Sequence, residues 1–150
     1  GYDAIVLAAA GLVRLGLQAR IRGRFETTAM IPAAGQGALA IEVRDDAHEL
    51  RAQLGTLTHR PTWLAVAAER AVSRALGGSC TVPLAAHAAW HGERLVIAAA
   101  LAAAARPLAP LLHARLEAAV ASDGDADARG ERAAALLRDA GADAYLAEAG

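Results

Sequence analysis

The sequence predicts an α+β fold, in which a helix, three antiparallel strands and a second helix occupy the chain from about residue 59 onward. Three observations carry this. Leu64, Ala68, Ala71, Val72, Ala75 and Leu76 fall on one face at helical spacing, and Gly77-Gly78 then stops the helix. Leu84 to Trp90 and Glu93 to Leu101 are apolar runs separated by His91-Gly92, a joint suited to a tight hairpin. Ser122-Asp123-Gly124-Asp125 is a turn, and Asp125 or Asp127 can cap a helix that runs to about Ala140 before Gly141 ends it. A third strand is placed over Leu111 to Glu117, although Pro107 and Pro110 crowd its start.

The earlier part reads in order as strand, helix, loop, strand and helix. Ala4 to Leu7 is a short apolar run, and Ala8 to Leu17 sets Leu12, Leu15 and Leu17 beside Arg14. Gln18 to Arg24 is a basic loop, and Pro32 keeps its predecessor extended. Gly35-Gln36-Gly37 joins this to Ala38–Arg44, whose alternation predicts a strand. Asp45 or Asp46 can cap a helix from about Ala47 to Leu57. A boundary then falls near Thr58-His59-Arg60-Pro61, with Pro61 in the first helical turn, where a missing N–H costs nothing. The domains expected are therefore 1–58 and 59–150. The chain enters its first strand almost at once and begins with Gly, so a piece of a longer protein is expected.

Composition narrows the function. The 150 residues are 55% hydrophobic, mostly Ala, and only 3% aromatic, so the core must depend on close backbone approach. A net charge of −1 removes the broad electrostatic case for nucleic acid or an anionic membrane. One cysteine cannot form an internal disulfide, which favours a reducing, cytoplasmic location. The apolar run Val96–Ala105 is too short to span a bilayer. His59, His87, His91 and His113, taken with Cys80, match no zinc spacing, so no metal is expected.

Three segments, in order, resemble porphobilinogen deaminase (hydroxymethylbilane synthase). They are Tyr2-Asp3-Ala4-Ile5-Val6-Leu7 through Gly16; Ile31-Pro32-Ala33-Ala34-Gly35-Gln36-Gly37-Ala38-Leu39 through Glu42; and Ala68-Glu69-Arg70-Ala71 followed by Leu76-Gly77-Gly78-Ser79-Cys80-Thr81-Val82-Pro83. The resemblance implies the C-terminal half of a three-domain transferase of tetrapyrrole (heme) biosynthesis. On that template residues 1–58 finish the second domain and return through the hinge to the first, an incomplete portion of α/β domains like those of periplasmic binding proteins. Residues 59–150 make the complete third domain. The implied reaction joins four porphobilinogen molecules into hydroxymethylbilane with release of ammonia, on a dipyrromethane cofactor held by a thioether to Cys80.

The resemblance assigns cofactor binding to Cys80, Arg14, Gly37 and Ala38. A cysteine suits the anchor because thiolate is the best soft nucleophile for a pyrrolic methylene carbon. The bland reading of a lone cysteine is a small buried hydrophobe, but the turn residues Gly77-Gly78-Ser79 and Pro83 argue against a core position. Arg14 matches an arginine that contacts pyrrole carboxylates, which guanidinium binds in a fork; an exposed helix-face arginine is the plain alternative. Gly35, Gln36 and Gly37 resemble the hinge crossing, where backbone N–H groups can approach the cofactor; an ordinary tight turn between strands is the plain alternative, and both need glycine. Glu69 and Arg70 are assigned the polar side of their helix and a structural ion pair that ties the third domain to the rest, not chemistry. Arg20, Arg22 and Arg24 are read as a solvated loop. No catalytic residue is carried onto this chain, because the family's aspartate, its neighbouring lysine and most of its arginines lie in the N-terminal half. That half is therefore the expected partner, the isolated chain is expected to be inactive, and the full-length enzyme is expected to be monomeric. The alternative is a non-catalytic ligand-binding or interaction module that kept the fold.

Overall fold

The computed structural model describes residues 2–79 and 81–148, which form two compact units meeting at Met30 and Ile31. The first unit holds helix α1 (Ala9–Arg14) and a single 3₁₀ turn at Gln18–Arg20, inside the stretch expected to be loop. Helix α1 is shorter than its apolar pattern suggests because Gly16 takes φ 69. Leu17 N–H then bonds to the Leu12 carbonyl and Gly16 N–H to that of Val13, the paired bonds of a glycine-closed helix end.

The second unit continues through helix α2 (His48–Gly55) to helix α3 (Arg60–Ala75), strands β1 (Leu84–His91), β2 (Arg94–Leu101) and β3 (Leu112–Ala119), and helices α4 (Asp123–Asp139) and α5 (Ala142–Leu146). The strands form an antiparallel sheet in the order β1-β2-β3, with Ala88 opposite Ile97 and Ala99 opposite Ala114. Helices α3 and α4 pack on each other and on the sheet. This is the expected α+β architecture.

Local chemistry sets each element. Pro61 lies in the first turn of α3, and its carbonyl accepts a bond from the Trp90 indole N–H, pinning the helix start to the end of β1. Gly92, at φ 60, opens the two-residue hairpin turn between β1 and β2, where a side chain would be strained. Strand β3 begins just after Pro110, since proline cannot donate to a ladder. Helix α4 is capped by Ser122, whose hydroxyl accepts from Asp125 N–H while the Asp125 carboxylate accepts from Ser122 N–H. Asp125 thus completes a capping box three residues inside the helix and is not itself the cap.

The core is small-grained. Ala68, Ala86, Ala99, Ala126, Ala133 and Ala134 are sealed together with Val72, Leu95, Ile97, Leu101 and Leu137. Helix α4 meets α3 at Gly130, where a Cβ would stand 2.3 Å from the Ala68 carbonyl oxygen and 2.5 Å from Ala71 Cβ. Backbone contact replaces bulky anchors there, as the Ala-rich, aromatic-poor composition predicts.

Two predicted strands are absent. Ala4–Leu7 and Ala38–Arg44 are irregular and mostly exposed, with Leu39 at 96% and Ile5 at 71%. A strand exists only through its ladder, and among the described residues the one sheet offers neither segment a partner. Thr27–Ala29 form a turn, and the chain from Ile31 to Ala33 runs without regular structure.

Candidate functional site

Three pieces of the second unit converge at the free edge of β1. Past Pro32 the chain makes two overlapping turns, with Gln36 N–H bonded to Ala33 O and Ala38 N–H to Gly35 O, and Gly35 and Gly37 adopt φ 78 and 86. Only glycine takes those angles without strain. The Pro32 carbonyl accepts from Ala86 N–H at 3.1 Å, so this segment covers part of the strand edge.

Glu69 completes the junction. It projects from α3 and is only 4% exposed, contrary to the polar-side assignment. One carboxylate oxygen accepts from Gly35 N–H at 2.7 Å and the other from Ala88 N–H, also at 2.7 Å. His87 Nδ1 lies 3.3 Å from the latter oxygen. The described partners of Glu69 are two backbone N–H groups and the His87 ring, so it ties α3 to the 32–38 segment as a tie was expected, but through hydrogen bonds to backbone. Amphipathic reasoning missed it because a glutamate on a helix is normally assigned to solvent. The available signal was its placement four residues after buried Ala65 and one turn before Val72.

The same elements enclose a cleft of about 460 Å³, lined by Ala33, Ala34, Ser73, Gly78, Ser79, Val82, Leu84 and Ala86. Its floor is the end of α3. Gly77, at φ 65, donates to the Arg74 carbonyl and Gly78 to that of Ser73, closing the helix and turning the chain along the cleft. A Cβ on Gly78 would meet Ser73 Oγ at 2.3 Å and Ser73 O at 3.1 Å, so the approach needs glycine. Beyond it, Ser79 and Thr81 hydroxyls bond to each other at 2.8 Å, and Val82 N–H donates to Ser79 O. Cys80, between these residues in sequence, lies outside the described residues.

The remaining site candidates are divided between the units. Gly37 and Ala38 belong to the turn held near Glu69, whereas Arg14 is the exposed last residue of α1 in the first unit. Among the described residues no arginine or lysine lines the cleft. Its size falls within the usual range for ligand pockets, and its small side chains leave room for flat rings. Among the described residues no group of three or more His, Cys, Asp or Glu could hold a metal ion, and no helix is long and apolar enough to cross a membrane.

Fold and site together define a small α+β domain that presents a glycine-turned loop beside a ligand-sized cleft. Residues 1–52 match the family model described as porphobilinogen deaminase, dipyromethane cofactor binding domain, and residues 63–108 match that described as porphobilinogen deaminase, C-terminal domain. The chain is 57% identical over 137 residues to a porphobilinogen deaminase of Albidiferax ferrireducens, aligning 91% of its own length with 43% of the relative. It is 51% identical to one of Ralstonia nicotianae over 99% of this chain and 44% of that one. It is 50% identical to one of Burkholderia mallei over 97% of this chain and 44% of that one. The chain belongs to the porphobilinogen deaminase family and spans less than half the length of these relatives, as a partial, C-terminal piece.

Proposed function

We propose that this chain is the cofactor-bearing part of a transferase that condenses four porphobilinogen molecules into hydroxymethylbilane, releasing ammonia, on a dipyrromethane bound to Cys80. The observation that carries the reading is that Gly78, Ser79 and Val82, which flank the chain's one cysteine in sequence, line the cleft. At about 460 Å³ the cleft has the volume of a small-ligand site, and Ala33, Ala34, Val82, Leu84 and Ala86 give it apolar walls against which pyrrole rings could lie. The Ser79–Thr81 hydroxyl pair and the closed end of α3 brace the loop.

Attachment is a substitution at carbon. The Cys80 sulfur forms a bond to the pyrrolic methylene as its amine or hydroxyl departs, taking the thiol proton to leave as ammonia or water. The thioether survives in a reducing cytoplasm, where a disulfide would not. Once bound, the dipyrromethane supplies the acceptor on which the product chain grows. The resemblance assigns Gly37 and Ala38 to its binding through the backbone of their turn, and Arg14 to a pyrrole carboxylate, which a guanidinium holds in a fork. Residues 1–58 then complete the second and first domains of the full-length enzyme, with residues 59–150 as its third domain and the N-terminal half supplying the acid–base chemistry. The full-length enzyme acts as a monomer.

Intact mass spectrometry of the full-length protein tests this. A dipyrrole adduct present in wild type and lost in Cys80→Ser is the expected result. An unmodified wild-type protein that still binds pyrrole carboxylates would instead favour a non-catalytic binding module.

A further inference from the structure

We propose that Glu69 is a positioning residue: its buried carboxylate fastens the Gly35 turn, and with it the Ala33–Ala34 wall of the cleft, to α3 and the edge of β1. The assignment rests on the reading that this cleft serves the Cys80 loop. A carboxylate buried to this degree is costly unless its oxygens are fully used. Here each accepts a short bond from a backbone N–H, one on Gly35 and one on Ala88. The only other hydrogen bond described between the 32–38 segment and the rest of its unit is Ala86 N–H to Pro32 O. Ala34 packs on the core, yet its methyl has too little area to hold the turn alone. Loss of the Glu69 bond therefore frees the wall that precedes Gly35, while the opposite wall stays tied to the sheet.

Glu69→Gln keeps the shape but changes the chemistry. An amide has one acceptor oxygen, so either Gly35 or Ala88 N–H must face another donor. In this chain, hydrogen exchange at Gly35 and its neighbours in the turn, or at Ala88, should accelerate by about tenfold or more, while Leu95 and Ile97 in β2 stay within about twofold of wild type. Glu69→Asp, which keeps the charge but is one methylene shorter, should give the same local pattern at smaller amplitude. Unchanged exchange in the turn and at Ala88 would overturn the proposal. So would an equal rise in β2, the mark of general destabilisation. Failure of the cofactor reading is separable, since it appears as a missing adduct on wild-type Cys80 and leaves the exchange pattern intact.

Discussion

Gly130→Ala adds one methyl group where α4 crosses α3, and the geometry gives its cost. The new carbon would lie 2.3 Å from the Ala68 carbonyl oxygen and 2.5 Å from Ala71 Cβ, neither of which can rotate away. Ordinary contact requires the helices to separate by about 1 Å, which loosens the close-packed alanines on both sides. Overpacking of this kind costs about 1–3 kcal/mol, and rigid neighbours place it near the upper end. Replacing glycine by alanine inside a helix returns about 1 kcal/mol. The net loss expected is about 2 kcal/mol, or a fall in urea midpoint of about 1 M for a typical slope. Gly124→Ala is the control, because its Cβ would find only Ser122 Oγ, at 3.9 Å. That variant should unfold at or slightly above the wild-type midpoint. If both variants unfold at the same urea concentration, the close helix approach does not govern stability and the reasoning fails.

Ser122→Ala should cost about 1 kcal/mol by chemical denaturation, since it leaves the first turn of α4 without its hydroxyl acceptor. The Asp125 carboxyl is held below its usual pKa by the Ala121 N–H, then by the Ser122 hydroxyl and N–H. Its contribution is therefore complete above the unfolded carboxylate range and disappears as pH falls through the lower folded value. The stability gap between wild type and Asp125→Asn should shrink on acidification, and a gap that widens would reverse the sign. Gly78→Ala should destabilise by about 1 kcal/mol, because Ser73 Oγ can swing aside but the Ser73 carbonyl cannot. The same change should lower the fraction of full-length protein carrying the adduct, measured by intact mass. The isolated chain should make no detectable tetrapyrrole in a porphobilinogen consumption assay; turnover would place the acid–base machinery within these residues.

The C-terminal domain was legible because its signals are local. The apolar face from Leu64 to Leu76, the glycines at 77, 78, 92 and 141, and the apolar runs on either side of the hairpin turn each act within a few residues. Ala4–Leu7 and Ala38–Arg44 carry the residue pattern of strands, but pairing is decided by what lies alongside, which a local pattern does not encode. The cap of α4 was misplaced by three residues because serine and aspartate both accept N–H bonds, and a capping box uses one of each. Glu69 was misread for a deeper reason. Its partners are N–H groups at Gly35 and Ala88, left over by a turn and a strand edge, so only tertiary structure reveals why a carboxylate should be buried there.

The central claim is a carbon–sulfur bond between position 80 and a pyrrole methylene. Proteolysis of the full-length protein followed by tandem mass spectrometry of the peptide spanning Ser79 to Thr81 tests it at the atom concerned. Cys80 should carry a dipyrrole mass that is stable to thiol reductants. A free, unmodified thiol at that residue in catalytically active protein would contradict it.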